Sequence, residues 1–236
     1  MIEKVQYKGD NLREFFARST VFRHLTDDQL DYLPLDQATD RYKRGSIIYE
    51  EGSRISGFYV VCKGVIKIYK TGFDGKDQII RFAKPGDVMG FRSTITGELA
   101  CTTTKSIEDA EIVYISGQIV KELVMSNGDF AMDLLQIACN ELGEANDYIT
   151  DIAQKTVRER LAEVLIQLKM TFDLDQNNFL QISLTREELA SIVGTATESV
   201  IRLLSEFKQD KLIELQGRRI KIIEEAKLIK ISNLHY

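Results

Sequence analysis

The chain has 236 residues, 44% hydrophobic and 28% charged, with a formal net charge of −5. That length suits two domains with packed cores, and no apolar run approaches the ~18 residues of a bilayer span. The start, MIEKVQYKGDNLREFF, is too charged for a secretory signal, and Cys62, Cys101 and Cys139 form no CxxC pair for a disulfide framework or thiolate metal site, so the cytoplasm is the expected compartment.

In chain order, residues 10–34 predict a helical lead-in, with LREFFARSTVF followed by the capping signature Thr26-Asp27-Asp28-Gln29 ahead of Leu30 and Leu33. From about 38 to 116, short β-branched and aromatic runs (GSIIYEEG, GFYVVCKG, VIKIYKTG, DQIIRFAKPGD, CTTTKSI, AEIVYI) alternate with glycines, the pattern of a jelly roll or barrel. Lys63-Gly64 and Asp74-Gly75 are the expected hairpin turns, because glycine accepts the positive φ such turns require.

After Gly128 the apolar period lengthens from two to about 3.6. Leu134, Ala138, Leu142, Ala145, Ile149, Ile152 and Thr156 recur at steps of three and four, a seam along one long helix. Phe130, Leu135, Ile137 and Tyr148 fall outside that seam, giving the helix more apolar width than one neighbour requires. A subunit interface through the seam is therefore expected, with Ala138 and Ala145 allowing close approach. The remainder predicts a helix over Thr156–Phe172, a polar loop DLDQNN, a strand over Phe179–Ser183, two short helices and a final hairpin. The resulting divisions are 1–127, 128–155 and 156–236.

The most specific stretch is LTREELASIVGTATESVIRLL, residues 184–204. Thr185 with Glu188 makes a capping box for a first helix. Ala190 is small where two helices must cross, and Gly194 ends the first helix in the left-handed conformation that β-carbons resist. Val200 and Leu203 return an apolar face to that helix. This is the pattern of a helix-turn-helix. Its second helix should expose Thr197, Glu198, Ile201 and Arg202 for reading base edges, arginine on guanine and glutamate on cytosine. Glu198 and Arg202 are also spaced to pair with each other along the helix. LIELQGRRIKII reads as a β-hairpin wing about Gly217. Thr185, Arg186, Ser199, Lys208, Arg218, Arg219 and Lys221 are the expected phosphate contacts, which position the protein without specifying sequence. From Thr156 onward basic and acidic residues are equal in number, so double-stranded DNA would be held by a local positive face and not by overall charge.

These residues, with the Pro85-Gly86-Asp87 turn and the long helix, resemble the Crp/Fnr family of bacterial regulators along nearly the whole chain. The resemblance implies an α+β architecture: an N-terminal jelly-roll sensor barrel, a long dimerisation helix and a C-terminal winged helix-turn-helix. It also implies a homodimer on a two-fold symmetric operator that recruits or blocks RNA polymerase, and it supports Glu198 and Arg202 as base readers. Thr197 stands where the catabolite activator protein, a member of the family, has an additional guanine-reading arginine.

The resemblance breaks at the sensor. Cyclic-nucleotide-binding members hold the ribose with a glutamate after the glycine that follows the PGD turn; here Gly90 is followed by Phe91. Their phosphate-binding Arg-Ser pair aligns with Ala100 and Cys101, next to Thr102, and their adenine-contacting helix positions with Ala145 and Asn146. Without the arginine a phosphate loses a strong charge-assisted pair, so cyclic AMP is not the expected effector. Arg92 remains as a neighbouring cation for some other small anion, and Cys101 as a redox-active thiol facing the pocket. The N-terminal cysteine cluster of the iron–sulfur members is missing, and the only histidines, His24 and His235, sit at positions expected to be exposed. An enzyme on a cupin-like barrel is disfavoured because no histidine lies within 38–116 to ligate a metal. The remaining rival is a ligand-binding regulatory module that uses its winged helix for protein–protein contact.

Overall fold

A computed structural model describes residues 3–5, 9–35 and 39–233. The chain divides into two compact units, 1–142 and 143–236, which meet partway along one helix.

The first unit opens with β1 (Glu3–Val5), α1 (Gly9–Arg18) and α2 (Asp27–Leu30). The Thr26/Gln29 capping box forms as the sequence predicts. Strands β2 (Thr39–Tyr42), β3 (Ile47–Tyr49), β4 (Gly57–Lys63), β5 (Ile66–Thr71), β6 (Asp77–Ala83) and β7 (Val88–Met89) follow. After them come α3 (Phe91–Thr96), β8 (Thr103–Ser106), β9 (Ala110–Ser116), α4 (Gly117–Ser126) and α5 (Gly128–Gln154). Two antiparallel sheets result, in the orders β1-β2-β9-β4-β7 and β3-β8-β5-β6.

The period-two pattern of the central strands divides two cores. Phe58 and Val60 of β4, with Val113 and Ile115 of β9, join Phe16, Phe22, Leu30, Val120, Leu123 and Phe130 from the helices. Their neighbours Val61 and Ile112 join Ile66, Ile68, Ala83 and Met89 between the sheets. Phe22 packs on Phe16 and Phe130 at ring separations of 5.0 and 5.7 Å.

Asp74-Gly75 lies in the hairpin between the paired strands β5 and β6. Lys63-Gly64 does not make a hairpin: β4 and β5 belong to different sheets, so this turn carries the chain from one layer to the other. Gly64 is required there for two reasons. Its φ is +84°, and a Cβ would come within 2.6 Å of the Asp109 carbonyl oxygen.

The second unit contains the rest of α5, then α6 (Val157–Phe172), α7 (Arg186–Val193), α8 (Thr197–Gln209), a hairpin of β10 (Ile213–Gln216) and β11 (Arg219–Ile222), and α9 (Glu225–Ser232). Capping boxes begin α6 (Thr156/Glu159) and α7 (Thr185/Glu188). The strand expected over Phe179–Ser183 does not form. Only isolated bridges occur, Leu174 to Leu180 and Phe179 to Lys221, because this segment meets the hairpin edge at single points. No helix among the described residues is long and apolar enough to cross a membrane.

Candidate functional site

The helix-turn-helix is built from local signals. Thr185 Oγ1 accepts from the Glu188 backbone N–H at 3.1 Å, while the Glu188 carboxylate accepts from the Thr185 N–H at 2.9 Å. Gly194 closes α7 with φ 70° and ψ 51°, a conformation in which a side chain would be strained. Ala190 is buried against the second helix, and Val200, Leu203, Leu204 and Phe207 of α8 face inward. This leaves Glu198, Ile201 and Arg202 exposed along the opposite side, with Thr197 and Ser199 half-buried at its start.

Arg202 does not turn toward Glu198 as the spacing allows. Its Nη1 donates to Glu206 Oε1 at 2.6 Å, one turn in the other direction. Glu206 also accepts from Arg158 Nη1 at 3.1 Å, and Arg158 Nη2 reaches Asp210 at 2.8 Å. The same Arg158 guanidinium lies 4.7 Å from the Phe207 ring centroid, tying α6 to the end of α8. Arg202 is thus an exposed side chain on a braced helix.

The cations expected to face phosphate separate into two groups. Lys208 and Arg218 are exposed. Arg219 is instead tied to the Asp175 carboxylate and lies 4.3 Å over the Phe179 ring; Lys221 is 3.8 Å from Glu214. Arg186 is half-buried and donates from Nη2 to the Gly217 carbonyl oxygen at 2.9 Å. Burial pushes its guanidinium pKa down.

The sensor residues scatter more. Phe91 is buried in the core shared with Phe58 and Val120, and Ala100 is buried too. Neither side chain offers a ligand a polar group. Arg92 points outward, paired with Glu98 at 3.1 Å. Gly90, Cys101 and Thr102 do converge, around a residue the sequence analysis passed over, Tyr49. Burial pushes the Tyr49 phenol up to about 12, against the pull of Arg81, the Thr102 side chain and the Gly90 backbone. Its ring stands 5.4 Å from that of Tyr59, which is 5.2 Å from Tyr114. Arg81, also missed, donates to Glu141 of α5 at 2.8 Å and to the Val88 carbonyl at 3.4 Å. The signal was available: Ile79, Arg81 and Ala83 share one face of β6, and a charge between two buried residues marks an inward cation.

Along α5, Ala138, Leu142, Ala145, Asn146, Ile149 and Ile152 are exposed. Leu134, expected in the same seam, is buried with Phe130 in the core of the first unit, because the helix begins packed against α1 and α4 residues. Its neighbour Asp133 is also buried and is held by Arg23 at 3.1 Å. His24 has its side chain partly exposed and its backbone carbonyl taken by Asn127 Nδ2; His235 lies outside the described residues.

An antiparallel sandwich, a long helix and a winged helix-turn-helix in one chain are the architecture of a two-domain transcription regulator. Residues 39–127 match the cyclic nucleotide-binding domain and residues 159–231 the Crp-like helix-turn-helix domain. The chain is 26% identical over 217 residues to the fumarate and nitrate reduction regulatory protein of Vibrio cholerae, covering 89% of this chain and 85% of that one. It is 23% identical over 219 residues to the CRP-like cAMP-activated global transcriptional regulator of Mycobacterium tuberculosis, covering 92% and 98%. Among solved structures, FixK2 from Bradyrhizobium japonicum superposes with a TM-score of 0.74 at 23% identity, covering 83% of this chain and 97% of that one. The chain belongs to the Crp/Fnr family of transcription regulators.

Proposed function

We propose that the protein is a cytoplasmic homodimer that reads a two-fold symmetric DNA operator through the start of α8, acts on RNA polymerase from there, and answers to a small-molecule effector other than cyclic AMP. The observation that carries the reading is the division of α8: Val200, Leu203, Leu204 and Phe207 lock one side, while Glu198, Ile201 and Arg202 stand exposed on the other. A rigid helix tip with a guanidinium and a carboxylate on its free face suits base-edge readout in the major groove, since arginine forks onto guanine and glutamate accepts from cytosine. Thr197 adds a hydroxyl at the first turn. Lys208 and Arg218 supply exposed cations for the flanking phosphates.

The dimer is supported by an apolar stripe on α5. Leu142 and Ile149 are 63% and 66% exposed, with Leu135, Tyr148 and Ile152 beside them. Such a surface suits burial against a second copy of the same helix. The exclusion of cyclic AMP rests on Phe91 and Ala100, which offer no carboxylate for a ribose and no cation for a phosphate.

The deciding experiment is selection of binding sites from random duplex DNA with purified, ligand-free protein. Enrichment of an inverted repeat with half-sites about one helical turn apart is the expected result. A pool with no enriched sequence, with or without added cyclic AMP, would leave two options: binding that requires another effector, or a winged helix that serves protein contact.

A further inference from the structure

The wing is anchored at two places by different means. Its second strand is held by Arg219, which binds Asp175 and covers the Phe179 ring, and by the bridge between Phe179 and Lys221. Its tip is the two-residue turn Gly217-Arg218, and Gly217 adopts a φ of +60°. There the Gly217 carbonyl accepts one hydrogen bond from Arg186 Nη2, which begins α7 thirty-one residues earlier. The other end of that guanidinium, Nη1, is buried and meets no hydrogen-bond partner among the described residues. Half-buried, Arg186 has no salt-bridge partner among the described residues. The bond it does make is charge-assisted. A side chain committed in this way has its donor turned into the protein and spent on the wing.

We propose that Arg186 is a positioning residue: through the Gly217 carbonyl it holds the wing tip where Arg218 meets the DNA backbone, and it takes no phosphate itself. This reading replaces its expected role as a phosphate contact and rests on the reading that α8 and the wing engage DNA. Arg186 thereby couples the first helix of the motif to the hairpin, so that the helix tip and wing tip meet the duplex in one fixed geometry. The salt dependence separates a positioning role from a direct contact, since each phosphate contact contributes about 0.9 to the slope of log affinity against log salt.

The test measures affinity for the selected operator across a salt series, using full-length wild type, Arg186→Ala, Arg218→Ala and the double variant. The expected result is that each single change lowers the slope by about 0.9 and that the double variant lowers it no further. Arg186→Lys, which keeps one donor, should recover part of the affinity. Without DNA, backbone hydrogen exchange at residues 216–219 should rise in Arg186→Ala, a readout that loss of a phosphate contact would leave unchanged. Losses that multiply in the double variant, with a slope change of about 1.8 and unaltered exchange at the wing, would make Arg186 an independent phosphate ligand and overturn the proposal. A wild type that binds no duplex would remove the DNA reading itself, so the two failures are distinct. Thermal melts of each variant separate lost binding from lost folding.

Discussion

The two units use their polar residues in opposite ways. In the second, the side chains proposed for recognition stand outside a locked scaffold: α8 buries Val200, Leu203 and Phe207 and leaves Glu198 and Arg202 exposed. In the first, two of the positions expected to line an effector pocket lie in the core. Phe91 packs with Phe58 and Val120, Ala100 is buried, and the polar residues that remain inside, Tyr49, Thr102 and Arg81, engage one another or α5. The difference teaches that a helix with one face locked can present polar side chains on the other at little cost, whereas an apolar side chain facing an interior becomes part of the packing.

The largest effect should come from restoring a carboxylate to the first unit. Phe91→Glu places an unpaired charge in a core and should cost more than ~4 kcal/mol, seen as a collapse in the denaturation midpoint. A variant that folded normally and gained affinity for cyclic AMP would break the contrast outright. Next is Ile149→Glu, on the exposed stripe of α5. It should weaken self-association by about 2–3 kcal/mol, roughly 100-fold in dissociation constant by sedimentation, with each unit still folded. An unchanged dimer would remove the helix from the interface.

Arg202→Ala should cost about 1–3 kcal/mol at the base it reads and flatten the selected motif there, with little change in stability, because its pairing with Glu206 is exposed. Identical operator selectivity in this variant would mean that the exposed face of α8 is not the reader. The smallest effect belongs to Thr185→Ala. Losing the cap of α7 should lower the stability of the second unit by about 1 kcal/mol and leave the first unaffected. Equal destabilisation of both units in domain-resolved hydrogen exchange would show that they unfold as one, contrary to the contrast drawn here.

What could be read in advance follows the same line. The caps at Thr26, Thr156 and Thr185 and the stop at Gly194 depend on atoms within a few residues, and they form as the sequence implies. The seam of α5 was legible as a period, but its owner was not. Leu134 and Ile149 look alike in a list of apolar positions, yet one is buried by its own unit and the other is left exposed. The Lys63-Gly64 turn was misjudged because a glycine turn between two strands carries no mark of whether they pair or part into separate sheets.

The sequence by itself determined the α+β class, the helix-turn-helix with its exposed second-helix face, and the family, because spacing, capping and turn chemistry are local and survive without a partner. Only the tertiary structure decided that Phe91 is core, that Tyr49, Arg81 and Glu141 take up the interior polar positions, that Arg202 leans on Glu206, and that Arg186 bonds the Gly217 carbonyl. Each of those depends on which distant segments meet, and a side chain's chemistry is spent on whatever packing brings within reach.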